Sequence, residues 1–221
     1  PSARAMAMFP DNVPEDVYDN LLQAVRDHLP AVHKYYALRK RAMKLDDIHF
    51  YDVYVPILSD IQKRTTWGEA VELVIDSLKP LGAGYTDALA GGLRGRWCDR
   101  YENKGKHSGA FSSGCYDSDP YILMNYKADV FDHVFTLAHE AGHALHSYYA
   151  DRAQPFHDAQ YSIFLAEIAS TINEILLTWE LLRELPEGDV KGRFAILNRL
   201  ADTISGTLVR QAMFAEFEQR T

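Results

Sequence analysis

The chain contains 221 residues, of which 47% are hydrophobic and 24% are charged, and its formal net charge is −8. This composition is typical of a globular protein with one large domain or two small ones. The acidic balance argues against a nucleic-acid partner, and no apolar run is long enough to span a membrane. The two cysteines, Cys98 and Cys115, are too few for a disulfide scaffold. We therefore expect reduced, semi-buried thiols and a cytoplasmic protein.

The first 95 residues are predicted to be helical. Helical patterns cover about 2–9, 14–29, 30–45, 66–80 and 85–93, with an extended or irregular segment at 48–58. Pro30 is expected to break one helix and begin the next, and the basic residues 34–44 to form a solvated helix face. Thr66 and Glu69 have the spacing of a capping box, which predicts a helix start.

Residues 96–127 are predicted to form a small β element. The candidate strands are about Arg96–Tyr101, Ala110–Tyr116 and Tyr121–Asn125. A turn signal at 103–106 separates the first two, and all three are short and interrupted by glycine. We therefore expect a small sheet beside the helices that follow.

Residues 128–221 are predicted to form three long helices. Asp129 caps the first, which stops before Pro155; the second spans about Tyr161–Leu185; and Asp189 caps the third. The expected core face of the second helix is Ile168, Ile172, Ile175, Trp179 and Leu182. The first helical pattern reads as already under way at Ser2, and the last is unfinished at Thr221. We therefore expect a fragment of one mainly α domain.

The helix before Pro155 contains the pattern H-E-x-x-H at His139, Glu140 and His143. Positions four apart lie on the same face of a helix, so both imidazoles can bind one metal ion. Glu140 lies beside them, within reach of a water on that ion. Two imidazoles, one carboxylate and an open fourth position suit one catalytic Zn²⁺ per chain.

A third ligand is available on the next helix. Glu167 follows His143 by 24 positions and lies off its helix's apolar stripe among Leu165, Ala166, Ile168 and Ala169, where an unpaired carboxylate would be costly. Glu174 follows on the same face and is a candidate to orient a ligand histidine from behind, the alternative being a surface carboxylate. His146 is expected to pack near the metal rather than bind it, and His133 and His157 are weaker ligand candidates.

Several segments resemble oligoendopeptidase F, in the thimet oligopeptidase superfamily of zinc peptidases. They are HEAGHALHSYYADRAQPFHDAQYSIFLAEIASTINEILL, PDNVPEDVYDNLL, IHFYDVYVPI, YENKGKHSGAFSSGCYDSDPYILMNY and VRQAMFAEFE. The resemblance implies a zincin-like (gluzincin) catalytic core, zinc ligands His139, His143 and Glu167, and Glu140 as general base. It also implies that the strand Gly109, Ala110, Phe111 and Ser112 binds the substrate backbone.

The resemblance further implies an endopeptidase that acts on oligopeptides, with more of a larger parent chain around this segment. The tyrosine and histidine that stabilise the transition state in this family would lie beyond Thr221. Tyr148, Tyr149 and Tyr161 are expected to be packing residues rather than substitutes. We therefore expect this chain to bind zinc but cleave peptides poorly. Two alternatives stay open: a zinc-containing module that binds peptides without cleaving them, and a different metallohydrolase such as an exopeptidase.

Overall fold

The computed structural model describes residues 2–58 and 64–220. Within these ranges, the α-helices are α1 Ala3–Met8, α2 Glu15–Ala42, α3 Trp67–Ser77, α4 Ala83–Arg94, α5 Asp132–Ala153, α6 Ile163–Glu184, α7 Val190–Ile204 and α8 Arg210–Arg220. The strands are β1 Cys98–Asp99, β2 Phe111–Ser113 and β3 Tyr121–Leu123. The predicted mainly helical fold with a small sheet is confirmed.

The chain divides into two compact units, which are described separately. One comprises Pro1–Ile61 and Glu187–Thr221, and the other comprises Gln62–Pro186. The second unit contains α3 to α6 and the sheet. A single catalytic domain with parts 1–95, 96–127 and 128–221 stays a prediction.

In the first unit, α2 passes through Pro30 without a break, so the predicted pair of helices is wrong. Proline in a helix removes one backbone hydrogen bond, to the carbonyl four residues earlier. Pro30 and Arg26 are both exposed, so this freed carbonyl lies on a side where water can satisfy it. The helix α1 begins at Ala3 with Ser2 as its N-cap, rather than being under way at Ser2.

Arg39 corrects the expectation that 34–44 is a uniformly solvated face, because this side chain is only 1% exposed. Its guanidinium donates to the carbonyl oxygens of Asp52, Val53 and Val55 at 3.2, 3.0 and 2.6 Å. These carbonyls belong to and follow a short 3-10 helix, Phe50–Tyr54, in the segment expected to be extended or irregular. The buried arginine therefore fixes this segment against α2.

In the second unit, the predicted capping box is confirmed. Thr66 accepts from the Glu69 backbone N–H, and the Glu69 carboxylate accepts from the Thr66 N–H, at the start of α3. The sheet order is β1-β3-β2, with β1 parallel and β2 antiparallel to β3. The strand β2 is therefore an edge strand, paired with β3 on one side.

Helix α5 begins at Asp132, three residues after the predicted cap at Asp129. The N–H of Val130 donates to the carbonyl of Lys127, which closes a turn before the helix begins, so Asp129 is not its cap. The helix ends at Ala153, before Pro155 as predicted.

Helices α5 and α6 approach each other most closely at Gly142. A Cβ atom there would lie 2.6 Å from the Ala169 carbonyl oxygen and 2.7 Å from the Ser170 Cα. Only glycine therefore allows this spacing, because real Cβ atoms do not approach backbone atoms so closely. The contact brings the α5 motif within reach of side chains on α6.

The predicted core face of α6 is wrong. Ile168, Ile172, Ile175 and Trp179 are 50%, 43%, 42% and 64% exposed. The buried side of the helix contains Ala166, Ser170, Asn173, Leu177, Thr178 and Leu181. Small residues face α5 because the close approach leaves no room for larger ones, and the apolar stripe points elsewhere.

In the described ranges, no helix is long and apolar enough to cross a membrane. Cys98 is partly buried and Cys115 is exposed, and both are free thiols. Burial raises the pKa of the Cys98 thiol to about 12, which makes it a poor nucleophile.

Candidate metal centre

Three side chains predicted as metal ligands meet between α5 and α6. The Nε2 atoms of His139 and His143 lie 3.1 Å apart. One carboxylate oxygen of Glu167 lies 3.4 Å from His139 Nε2 and 3.6 Å from His143 Nε2. Within the described part of the chain, these residues form the group of histidine, cysteine and carboxylate side chains suited to a metal.

The geometry of this cluster fits a tetrahedral zinc ion. Zinc bonds of 2.0–2.1 Å to nitrogen and oxygen place neighbouring ligand atoms about 3.3–3.4 Å apart. The observed separations of 3.1, 3.4 and 3.6 Å fall around that value. Three ligands of this chemistry leave a fourth position for water or substrate.

The His139 ring is oriented from behind by Glu174. His139 Nδ1 lies 2.8 Å from a Glu174 carboxylate oxygen, so Nδ1–H donates and Nε2 keeps its lone pair for a metal. Burial lowers the pKa of His139, but the hydrogen bond and charge of Glu174 outweigh it, with smaller help from Glu140 and Glu167. The net pKa is raised.

His143 and Glu167 are also held by neighbouring groups. Burial, together with the positive charge of His139, lowers the pKa of His143, while a hydrogen bond to the Ala166 backbone partly opposes this. The half-exposed Glu167 carboxylate accepts a hydrogen bond from the Ser170 hydroxyl at 2.8 Å. Ser170 is fully buried, so it holds this carboxylate from the protein side.

Glu140 lies beside the cluster and is 6% exposed. Burial raises the pKa of its carboxyl group above the ordinary range, and nearby Glu167 acts in the same direction. The backbone N–H of Ser112 donates to this carboxylate and lowers the pKa in part. A buried carboxylate with a raised pKa is a suitable acceptor and donor of protons.

This hydrogen bond places the predicted substrate strand next to the cluster. Ser112 is in β2, and Phe111 and Ser113 beside it are exposed. Ala110 precedes the strand, after Gly109 with its positive φ of 89°. The residues 109–112 thus lie on an edge strand beside Glu140, with a free edge suited to pairing.

The remaining candidate histidines lie outside the ligand group. His146 stacks on the Tyr161 ring at a centroid distance of 3.7 Å, and burial lowers its pKa. His133 Nδ1 accepts a hydrogen bond from the Lys127 backbone N–H at 2.9 Å, and His157 is exposed beside Asp158. His146 therefore packs, as expected.

The three tyrosines near the motif make packing contacts. Tyr161 shares a hydrogen bond with Ser147 at 2.7 Å in addition to its stacking on His146. The Tyr148 ring lies against Trp97, and Tyr149 stacks with Tyr85. These contacts agree with their expected role.

Three supporting residues were missed from the sequence. Ser170 holds Glu167; Gly142 permits the close approach; and the buried Asn173 amide donates to the Ala138 carbonyl at 3.1 Å and accepts from the Tyr85 hydroxyl at 3.1 Å. The available signal was the row of small or polar residues 166, 170 and 173, which share the helix face of Glu167 and Glu174.

Comparisons with known proteins agree with this geometry. The family model described as Peptidase family M3 matches residues 1–221. The chain is 49% identical to oligopeptidase PepF of Bacillus subtilis over 98% of its length and 32% of that protein. It is 43% identical to the chromosomal oligoendopeptidase F of Lactococcus lactis subsp. cremoris over 99% of its length and 36% of that protein.

Two solved structures have the same fold. A protein from Chlamydophila abortus matches with a TM-score of 0.85 at 48% identity, over 99% of this chain and 36% of that one. Oligoendopeptidase-F from Enterococcus faecium matches with a TM-score of 0.66 at 33% identity, over 99% and 30%. The chain therefore spans about a third of the length of these relatives.

Proposed function

Because the chain belongs to peptidase family M3, we propose that it is the metal-binding part of a zinc-dependent endopeptidase that hydrolyses internal bonds of oligopeptides. The observation that carries this proposal is the convergence of three ligand atoms, 3.1–3.6 Å apart, beside the buried Glu140. The names of the similar proteins, oligopeptidase PepF and oligoendopeptidase F, support the same substrate class.

His139, His143 and Glu167 would hold one Zn²⁺ per chain. When bound, zinc lowers the pKa of water and polarises a carbonyl group. Glu174 keeps His139 in the tautomer and orientation that a metal requires, through the 2.8 Å hydrogen bond at Nδ1. Ser170 restricts the Glu167 carboxylate in the same way.

Glu140 acts as general base and then as general acid. Its carboxylate accepts a proton from the attacking water and donates it to the nitrogen of the leaving amine. The raised pKa supports both steps, because it makes the carboxylate more basic and brings its titration closer to neutral pH. The Ser112 N–H keeps the carboxylate beside the strand where the peptide would lie.

The peptide substrate pairs with the edge strand β2. The residues 109–112 offer backbone donors and acceptors on the side opposite β3, so an extended peptide can add as a fourth strand. This pairing would bring a peptide bond past Glu140, which contacts Ser112. Backbone pairing reads no particular side chain, which suits an enzyme for varied oligopeptides.

The chain alone is expected to cleave slowly. Its relatives are about three times longer, and we place the tyrosine and histidine donors of the transition state in chain beyond Thr221. Loss of one such donor typically lowers the rate on the order of a hundred- to a thousandfold. A turnover by this chain equal to that of a full-length relative would contradict this part of the proposal.

The function is tested with a peptide blocked at both ends, so that only internal bonds are available. Metal analysis should find about one zinc per chain, and most of it should be lost in His143→Ala, because one of three protein ligands is removed. Cleavage by the chain, or by the longer protein that contains it, should stop with chelator and fall strongly in Glu140→Ala.

The same assay separates the alternatives. A module that only binds peptides would keep zinc and bind the blocked peptide, yet cleavage would be absent even from the longer protein. An exopeptidase would require a free peptide end. The buried Glu140 with its raised pKa favours catalysis over binding alone, because such a carboxylate is costly without a role in proton transfer. Cleavage insensitive to chelator would refute the metallopeptidase.

The cytoplasmic location stays a prediction from the cysteine count, and cell fractionation is its test. Segments of a larger parent chain are proposed as further partners, from the relatives' length.

A further inference from the structure

A cavity of about 460 Å³ lies at the end of the sheet, beside the first turns of α5. Its sheet side is formed by Gly109, Ala110 and Met124, and its helix side by Val130, His133 and Thr136. Its rim includes Glu102, Asn103, Lys106 and Lys127. The cavity is separate from the metal ligands, and the mechanism above does not use it.

The cavity is connected to the metal cluster along one face of α5. His133, Thr136, His139 and His143 recur every three or four positions and are all half-buried, whereas residues between them are buried. This spacing forms a continuous partly open stripe on a helix. One end of the stripe lines the cavity, and the other end carries two proposed metal ligands.

The strand continues the same connection on the other wall. Ala110 is two residues before Ser112, which donates to Glu140. Alternate residues of a strand point to the same face and are about 6.6–6.8 Å apart. Side chains of a peptide paired with β2 alternate in the same way. A side chain level with Ala110 would therefore point into the cavity when the peptide bond level with Ser112 passes Glu140.

The charges around the cavity are already paired. Lys106 is 4% exposed, and its ammonium lies 3.2 Å from the Asp99 carboxylate and donates to the carbonyl oxygens of Asp99 and Tyr101. Lys127 lies 3.3 Å from Glu102. Burial lowers the pKa of His133 and keeps this ring neutral. A charged guest side chain would therefore enter without an uncompensated partner, and its desolvation would be costly.

We propose that this cavity is a specificity pocket, which binds a bulky uncharged side chain, such as phenylalanine, two residues from the scissile bond. The inference rests on the proposed peptidase function and adds to it the side-chain class that the enzyme prefers. The cavity volume exceeds that of one aromatic side chain, so the remaining space holds water at the polar rim. Aliphatic and aromatic surface would contact Ala110, Val130 and the methyl group of Thr136.

The test measures binding of blocked peptides to the zinc-loaded chain in a Glu140→Gln background, which prevents cleavage. An alanine-rich peptide is compared with peptides that carry phenylalanine, glutamate or lysine at one position, moved along the peptide. One phenylalanine position should tighten binding about tenfold or more, the effect of burying one aromatic side chain. Glutamate and lysine there should give no gain.

Val130→Trp should remove this preference by filling the cavity from the loop before α5, and leave the affinity of the alanine-rich peptide nearly unchanged. Thr136→Leu narrows the cavity from the helix and should act in the same direction if the tryptophan variant folds poorly. Val190→Trp is the matched control, since Val190 is 74% exposed and lies in the other unit. It should keep the full preference.

A phenylalanine preference that survives both cavity variants, or its absence at every position, would overturn the pocket. The proposed function is judged separately by zinc content and chelator-sensitive cleavage. Equal binding of all peptides by a protein with intact zinc and cleavage would refute the pocket alone. Loss of zinc and cleavage with a retained, Val130-dependent preference would refute the peptidase and leave a binding cavity.

Discussion

The carboxylate of Glu174 fixes which nitrogen of His139 is available to a metal, because it accepts the hydrogen bond from the other one. Ser170 has the same relation to Glu167. The helical spacing of His139 and His143 made their common face predictable from the sequence. The contribution of Ser170 could not be predicted, since a serine three residues after a glutamate carries no signal until the helix α6 is oriented.

Replacing Glu174 with glutamine should weaken zinc binding about 10- to 100-fold, the usual effect of removing a group that orients a ligand. The amide is a weaker acceptor for Nδ1–H and removes the charge that raises the pKa of His139. Competition with a chromophoric chelator at constant pH measures the affinity.

Glu184→Gln, near the end of α6, is the control for charge. The Glu184 side chain is 56% exposed, and its ion pair with Arg183 is long at 3.8 Å. Zinc affinity should be unchanged in this variant. Equal losses in the two variants would mean that Glu174 acts only through the charge of the helix.

At the scale of elements, the site depends on how closely α5 and α6 pack. The capping box of α3 and the stop before Pro155 could be predicted because they are local features. The continuous α2 could not, because the exposure of Pro30 decides whether the lost hydrogen bond is tolerated. The buried face of α6 was wrong for a related reason: periodicity identifies an apolar stripe but not the element that covers it.

Gly142→Ala should lower the free energy of unfolding by about 1–3 kcal/mol, as overpacking of a core usually does. Alanine favours a helix over glycine by about 1 kcal/mol, which acts in the opposite direction. We expect the clash to dominate, because the atoms that the new Cβ would meet belong to the backbone of Ala169 and Ser170 and cannot rotate away. Urea unfolding of the metal-free chain measures the difference.

Gly91→Ala in α4 is the matched control, because nothing lies within 4 Å of the added Cβ atom. It should leave stability unchanged or raise it by up to about 1 kcal/mol. Gly142→Ala should also weaken zinc binding, since separating α5 from α6 moves Glu167 away from the histidines. A stability of Gly142→Ala equal to or above that of the original chain would show that the helices adjust without cost.

At the scale of the whole molecule, the exposed stripe on α6 is the clearest sign that the chain works as part of something larger. Ile168, Ile172, Ile175 and Trp179 form this stripe on the helix that also carries Glu167. A contiguous apolar face of this kind marks a surface that binds another element or promotes association. The relatives have about three times as much chain with which to cover it.

The isolated chain should therefore self-associate as its concentration rises. Replacing Ile172 and Trp179 with glutamate should reduce association in sedimentation velocity experiments and change stability little, since both side chains are exposed. Leu177→Glu, on the buried side of α6, should instead unfold the unit. A monomer at every concentration would contradict the stripe as an adhesive surface.

The position of the three ligands has one further consequence. His143 and Glu167 lie on successive helices, 24 positions apart in the chain, so an ion seated between them is a cross-link that closes a loop. Binding to the folded state alone stabilises it by mass action, about 2.7 kcal/mol when free metal is a hundred times the dissociation constant. The Gln62–Pro186 unit would then have no single stability. Its resistance to unfolding, and with it the life of the α5–α6 pair, would follow the free zinc of its surroundings.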